Sequence, residues 1–156
     1  MAAAATVAAA TLLTPVSVLD VTHDATGRRL WRVAVSERSR IDLHYTNSLF
    51  NAPTTDRFVI ESARLRLAEI SSTKEAVLLH AGLDGPHELR EGRFVAKRPG
   101  PVLAELIIRI GQTGQQHLTV DGREIPLYRI GVGEAARVRV SRVARVHALA
   151  ARPQNP

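Results

Sequence analysis

The chain has 156 residues, 45% of them hydrophobic and 23% charged, which is typical of one globular domain and excludes a wholly disordered chain. It contains no cysteine, so disulfide bonds, thiolate metal sites and cysteine nucleophiles are excluded. The net charge of +6 is concentrated near the C-terminus, where no acidic residue follows Glu134 but several arginines do: Arg137, Arg139, Arg142, Arg145 and Arg152.

The N-terminal segment is apolar, but no stretch of the sequence reaches the ~20 strongly apolar residues that a membrane-spanning helix needs. Ala2–Leu13 is alanine-rich and has the length of the apolar part of a signal peptide, yet no basic segment precedes it. Two alternatives stay open for residues 1–14, a degraded signal peptide and an alanine-rich leader. The predicted β domain spans residues 15–146, and residues 147–156 form a predicted tail.

Apolar residues recur at every second position far more often than at helical spacing, which predicts β-strands. The first two strands, Val16–Val21 and Leu30–Val35, are separated by turn residues and predict a hairpin. In the next strand, Arg40–Tyr45, the alternation directs Tyr45 toward the core and His44 to the opposite face.

Loops and a second hairpin are predicted in the middle of the chain. The Asn, Ser and Pro residues of Thr46–Pro53 indicate a loop. Asp56–Glu61 and Leu65–Ile70 alternate and predict the two strands of a hairpin. Ala81–Gly92 is rich in Gly, Pro and charge and predicts another loop, and Phe94 begins the following strand.

The strongest local signal is a turn in the last third of the chain. Asp121 and Gly122 lie between two alternating segments, which predicts a two-residue type I′ turn that places Leu118 opposite Ile125. Before this hairpin, Leu103–Ile110 is the most apolar stretch, and we expect it to be a central strand.

The end of the chain completes the predicted sheet. Pro126 cannot donate a backbone hydrogen bond, so its strand is expected at a sheet edge. Ala136–Val140 is predicted to be the last strand, and a short helix or coil is expected from Val143 onward. About nine or ten short strands therefore predict an all-β fold, a single antiparallel β-sandwich or barrel-like domain.

The search for catalytic motifs gives one hydrolase alternative and no cofactor. Ser48, His44 and Asp56 supply a hydroxyl, a base and a carboxylate, but Ser48 lacks the Gly-x-Ser-x-Gly context of a nucleophile elbow. We assign no catalytic residue. Gly131–Ala136 matches the letters of a dinucleotide fingerprint, but a strand follows where a phosphate-binding helix is required. No cofactor is therefore expected.

The sequence gives only weak signals for a metal site or a nucleic-acid site. His80, Asp84 and His87 are candidate metal ligands in one loop, but their spacing matches no ligand signature, so we assign no metal site. The basic strip Arg137–Arg152 attracts phosphate. Single-strand binders also need exposed aromatic side chains, which the alternation does not predict here. A nucleic-acid-binding domain is therefore an alternative, and nucleic acid is not the expected partner.

The central segment Ile41–Ile60, which reads IDLHYTNSLFNAPTTDRFVI, resembles the bacterial domain of unknown function 1850 family. In that family a Tyr-Thr-His-Ser-Val block precedes Pro-Val, a Glu and a strand, and here Asn47 replaces the His. The family's Gly-Ala-Gly-Leu-Pro loop is similar to His80–Asp84, and its late histidine and hairpin are similar to His117–Leu127. The matching positions of the block are Tyr45, Thr46, Ser48, Pro53 and Asp56.

The resemblance implies a role beside a membrane. Family members are small bacterial proteins with apparent export signals, often encoded beside TRAP-type solute transporters of the TAXI class. It implies a non-enzymatic accessory or binding domain that is extracytoplasmic or periplasmic. The alternative location is the cytoplasm. A transporter permease or a solute-binding protein is the implied partner. The candidate binding residues are Tyr45, Asn47, Ser48, Asp56 and His117. The alternative is that this polar cluster only fastens a loop.

Overall fold

The computed structural model describes residues 14–97 and 100–145. Within these residues the chain forms twelve strands, one short α-helix and one 3-10 helix. The strands are β1 (Pro15–His23), β2 (Arg29–Val35), β3 (Ile41–Asn47), β4 (Ala52–Glu61), β5 (Arg64–Ser72), β6 (Glu88–Arg90), β7 (Arg93–Ala96), β8 (Val102–Leu103), β9 (Leu106–Arg109), β10 (His117–Val120), β11 (Arg123–Ile125) and β12 (Ala135–Ala144). Of the predicted leader only Thr14 is described, and the predicted tail lies outside the described residues.

The strands form two antiparallel sheets. The smaller sheet has the order β2-β1-β12-β9, and the larger sheet has the order β11-β10-β3-β4-β5-β7-β6, with β8 paired to β5. Inward-facing side chains from both sheets meet in one hydrophobic core, and this arrangement is a β-sandwich. The predicted all-β fold is confirmed. Core members from the two sheets include Leu19, Val21, Val138, Ile41, Phe58 and Leu118.

The predicted hairpins form, and the one register that the sequence predicts, that of the Asp121-Gly122 hairpin, is confirmed. β1 pairs with β2, and β4 pairs with β5. In the β10–β11 hairpin, Leu118 lies opposite Ile125. The turn residues Asp121 and Gly122 have φ angles of 49° and 83°, as a type I′ turn requires. β11 lies at the edge of the larger sheet and ends at Ile125, just before Pro126.

The predicted loop Thr46–Pro53 is shorter than expected, because strand structure covers both of its ends. β3 continues to Asn47 and β4 begins at Ala52, so only residues 48–51 form the turn. Ala52 and Thr54 are buried, and their burial holds the chain against the sheet despite the neighbouring proline.

Leu103–Ile110 is not the single central strand that its apolar composition predicts. It is divided into β8, which pairs in the larger sheet, and β9, which is an edge strand of the smaller sheet. The chain passes from one sheet to the other at Ala104 and Glu105. The outward side chain of Ile107 is consequently 50% exposed.

Two further predictions differ from the structure. The predicted loop Ala81–Gly92 contains the edge strand β6, which pairs only with β7. The predicted last strand does not stop at Val140, because β1 pairs with β12 along its length as far as Ala144. Val143 thus lies in a strand instead of a helix or coil. The apolar run before the first of these loops forms α1 (Glu75–His80), which buries Val77 and Leu78.

Candidate functional site

An ion-pair ladder crosses the outer face of the larger sheet. Asp42 on β3 contacts the Nε atoms of Arg40 at 2.6 Å and Arg57 at 3.0 Å, and Arg57 also contacts Glu69 on β5 at 3.0 Å. The Asp42 and Glu69 side chains are only 5% and 10% exposed, so their pairing offsets the cost of burying two charges. Arg90 contacts Glu69 and extends the ladder to the sheet edge.

A groove of about 250 Å³ lies beside this ladder on the same face. Side chains from β3, β4, β7 and β10 surround it, together with the loop that precedes β10. A second depression of about 180 Å³ shares part of this wall and extends along the ladder. The residues that line the groove include His44, Thr55, Arg93, Gln115 and His117, and also Tyr45, Thr46 and Thr54.

Two stacked histidines form one wall of the groove. His44 and His117 are directly opposite each other in the β3–β10 register, with ring centroids 4.7 Å apart and an interplanar angle of 18°. Nδ1 of His44 is 3.1 Å from Thr55 Oγ1, and Nδ1 of His117 is 3.1 Å from the Gln115 carbonyl oxygen. Burial, and then the charge of His117, lowers the pKa of His44. His44 is therefore neutral near pH 7.

Arg93 on β7 forms the opposite wall. Its Nη2 donates to the carbonyl oxygens of Pro53 at 3.2 Å and Ser71 at 3.0 Å, and to Thr55 Oγ1 at 3.3 Å. These acceptors are all neutral, and no carboxylate of residues 14–97 or 100–145 lies within ion-pair distance of this guanidinium. Arg93 therefore brings an uncompensated positive charge to the groove.

Tyr45 and Asp56, two of the predicted binding residues, lie on the inner face of the larger sheet. The ion-pair ladder lies on the opposite, outer face. Tyr45 donates a hydrogen bond to Asp56 at 3.3 Å. Desolvation by burial raises the pKa of Asp56 to about 6, and the Tyr45 hydrogen bond acts in the opposite direction. Burial, with Asp56 nearby, raises the pKa of Tyr45. The pair is a half-buried polar contact beside the core.

Asn47 and Ser48 occupy the turn between β3 and β4. Asn47 Oδ1 accepts hydrogen bonds from the backbone amides of Leu49 at 3.1 Å and Phe50 at 3.2 Å, an Asx-type contact that closes the turn. Ser48 is exposed. These contacts favour the loop-fastening alternative for Asn47. Of the predicted binding residues, His117 and Tyr45 line the groove.

The three residues of the hydrolase alternative are not brought together. His44 and Asp56 project from opposite faces of the larger sheet, because Asp56 pairs with Leu43 and His44 pairs with Thr55 in the β3–β4 register. Ser48 lies in the turn beyond both. His44 is therefore oriented by Thr55 and not by a carboxylate.

The candidate metal ligands also serve other contacts. The His87 side chain is 3% exposed. Its Nδ1 is 2.9 Å from a Glu75 carboxylate oxygen, and its Nε2 is 2.7 Å from the Leu83 carbonyl oxygen. These hydrogen bonds raise the pKa of His87. His80 makes an edge contact with the Phe50 ring, and Asp84 is exposed. In the part of the chain that the structure describes, no three potential ligands cluster around a metal position.

The C-terminal basic strip is divided by the sheet. Arg137 and Arg139 lie on the outer face of the smaller sheet, whereas Arg142 has the opposite phase along β12. Arg137 is paired with Asp24 at 2.7 Å and Glu105 at 2.8 Å, which reduces the charge available to a phosphate. The strip beyond Arg145 lies outside the described residues.

Thr55 and Arg93 are groove residues that the sequence did not single out. Thr55 was accessible to sequence reasoning, because a four-residue turn after Asn47 places it opposite His44. Arg93 reaches the groove only because β7 pairs with β5. That pairing is long-range and leaves no local signal in the sequence.

The turn contacts predict that Asn47 and Ser48 differ in their effect on stability. We expect Asn47→Ala to lower the free energy of unfolding by about 1–2 kcal/mol, because two backbone amides lose their acceptor. Asn47→Asp keeps an acceptor and should be close to the parent protein, and Ser48→Ala at the exposed position should change stability by less than about 0.5 kcal/mol. Urea unfolding measures all three. A larger loss in Ser48→Ala than in Asn47→Ala would contradict the assignment.

The buried carboxyl of Asp56 predicts a pH-dependent stability difference. Its folded-state pKa of about 6 lies above the unfolded value, so its contribution is present below about pH 4 and is lost as the pH rises through 6. At pH 4 the free energy of unfolding of Asp56→Asn should equal that of the parent protein. At pH 8 it should exceed the parent value by up to roughly 2–3 kcal/mol. The exposed Glu37→Gln is the surface control, measured by the same urea titrations. A difference between Asp56→Asn and the parent that does not change with pH would contradict this account.

Comparisons with known proteins leave the family open. No family model, curated protein or solved structure matches this chain. Among residues 14–97 and 100–145, no helix is long and apolar enough to cross a membrane.

Proposed function

We propose that this protein is a non-enzymatic binding domain that holds a small polar ligand in the groove of the larger sheet and works beside a membrane solute transport system. One observation carries the binding role. The groove combines the stacked His44–His117 pair with the uncompensated charge of Arg93. Sites for small molecules are concave and present a few polar groups in fixed positions.

The groove is held in position by its own contacts. The ladder through Asp42 and Arg57 joins β3 to β4, and Thr55 is contacted by both His44 and Arg93. These side chains are fixed before a ligand arrives, which lowers the ordering cost of binding. The volume of about 250 Å³ suits a small solute.

Binding is favoured over hydrolysis by the placement of the polar residues. A hydrolytic triad needs its hydroxyl, imidazole and carboxylate within hydrogen-bond reach of one another. His44 contacts Thr55, and Asp56 contacts Tyr45 on the other face of the sheet. A threonine that already accepts from Arg93 is a poor nucleophile and a good positioning group for His44.

The transport association rests on the resemblance. The segment Ile41–Ile60 forms β3, the turn and most of β4, and this hairpin supplies His44 and Thr55 to the groove. By that resemblance the partner is a transporter permease or a solute-binding protein, and the location is extracytoplasmic. A permease gene beside the gene of this protein would support the association.

Thermal denaturation with a panel of small polar solutes tests the binding role. We expect at least one organic acid, amino acid or sugar at millimolar concentration to raise the melting temperature, because a ligand that binds only the folded state stabilises it. Arg93→Gln and, as a second groove variant, His117→Gln should weaken this shift. Arg139→Gln, on the outer face of the smaller sheet, is the matched control and should retain it.

The same experiment distinguishes binding in the groove from binding on the smaller sheet and from no binding. A shift that is lost equally in Arg139→Gln would point to the smaller sheet instead of the groove. No shift with any solute, for a protein that remains folded, would contradict the proposed binding role.

A further inference from the structure

The charge of the groove indicates which charge its ligand carries. Asp42 and Glu69, two acidic residues on this face, are engaged by Arg40, Arg57 and Arg90. Arg93 is half-buried and has only neutral acceptors within residues 14–97 and 100–145. A partly desolvated cation without a counter-ion favours an anion close to it.

The Nδ1 contact fixes the neutral tautomer of His117 and gives Nδ1 of His44 a hydroxyl partner. The Gln115 carbonyl oxygen can only accept, so Nδ1 of His117 carries the proton and Nε2 of the neutral ring carries the lone pair. Thr55 Oγ1 accepts from Arg93 and has its own proton to donate to Nδ1 of His44. With that donation, Nε2 of His44 carries the ring proton. A donor and an acceptor therefore stand side by side on the groove wall.

These two Nε2 atoms are the ring nitrogens left for a ligand. Neither has a hydrogen-bond partner among the described residues, since both rings are anchored through Nδ1. The lone pairs of imidazole lie in the ring plane, and planes only 18° apart at a 4.7 Å separation do not converge on one metal ion at about 2.0–2.1 Å. The pair suits a ligand with more than one polar atom.

We infer that the groove binds a carboxylate together with one proton, which is taken up from solvent at Nε2 of His117. This inference rests on the proposed binding function and specifies its ligand class. One carboxylate oxygen accepts from Nε2 of His44 and from Nη1 of Arg93, which donates to no group among the described residues. The other oxygen accepts from the protonated Nε2 of His117. No bond within the ligand breaks, and the bound anion offsets the charge that His117 gains.

The surrounding charges are consistent with uptake at His117 and not at His44. The charged residues near His44 are Asp42 on β3, Arg40 just before β3 and Arg93 on β7, and burial already disfavours protonation of the His44 ring. His117 is anchored to the Gln115 carbonyl oxygen and lies on the same face of the sheet as Glu124 of β11. The other charged residues that line the adjoining depression are Arg57, Glu69, Arg90 and Glu91.

Calorimetric titration with propionate and with its neutral analogue propionamide tests this inference. We expect propionate to bind and propionamide to bind at least tenfold more weakly. Propionate affinity should rise as the pH falls from 8 to 6, by as much as about tenfold per pH unit if one proton is taken up. Titrations in two buffers with different ionisation enthalpies should show an uptake approaching one proton per propionate.

Substitutions in the groove test whether the proton taken up with propionate binds to His117. His117→Gln stays polar but cannot titrate, so it should lose the pH dependence and the proton uptake and retain only the weak affinity seen at pH 8. Circular dichroism and melting temperature establish that the variant is folded. Arg93→Gln should lose propionate binding at both pH values, and Arg139→Gln should behave like the parent protein.

Each outcome is decisive. Equal affinity for propionamide, binding of inorganic phosphate but not propionate, or full pH dependence in His117→Gln would overturn the carboxylate inference. If a neutral solute from the wider panel binds in the groove and propionate does not, the binding function stands and this inference alone falls. If no solute binds to the folded protein, both fall.

Discussion

The paired charges of Asp42, Arg57 and Glu69 are the constraint on which the outer face of the larger sheet depends. Two nearly buried carboxylates lie on β3 and β5, and the guanidinium on β4 contacts both at 3.0 Å. Removing the shared arginine would leave two buried charges with fewer partners, and breaking one such pair costs roughly 3–5 kcal/mol. The ladder therefore fixes the lateral order of three strands, and with it the position of the groove wall.

The alternation of side chains along β3 and β4 separates two polar systems that are adjacent in the sequence. Tyr45 and Asp56 face inward and share a part-buried hydrogen bond, whereas His44 and Thr55 face outward into the groove. The resemblance had drawn attention to the inward pair and to the turn at Asn47. The geometry instead favours the outward neighbours as ligand-binding groups, and leaves the inward pair as a source of pH-dependent stability.

Local patterns predicted most of the strands and little of the groove. The Asp121-Gly122 turn and the opposite phases of His44 and Tyr45 follow from properties of one or two residues, and both are present in the structure. The division of Leu103–Ile110 was not predictable in this way, because an apolar run does not indicate where the chain changes sheets. Arg93 was not predicted as a groove residue for a related reason. Its contacts are with residues 22–40 positions earlier in the chain, and only the assembled sheet brings Arg93 close to those residues.

The central claim is that two stacked histidines present unlike nitrogens to the groove, and nuclear magnetic resonance tests it most directly. A long-range proton–nitrogen correlation spectrum of protein labelled with ¹⁵N-histidine distinguishes the two neutral tautomers of each ring. Near pH 8 the account predicts the Nε2–H form for His44 and the Nδ1–H form for His117, with assignments made from His44→Gln and His117→Gln. The same tautomer in both rings, or two rings that exchange freely between forms, would contradict it.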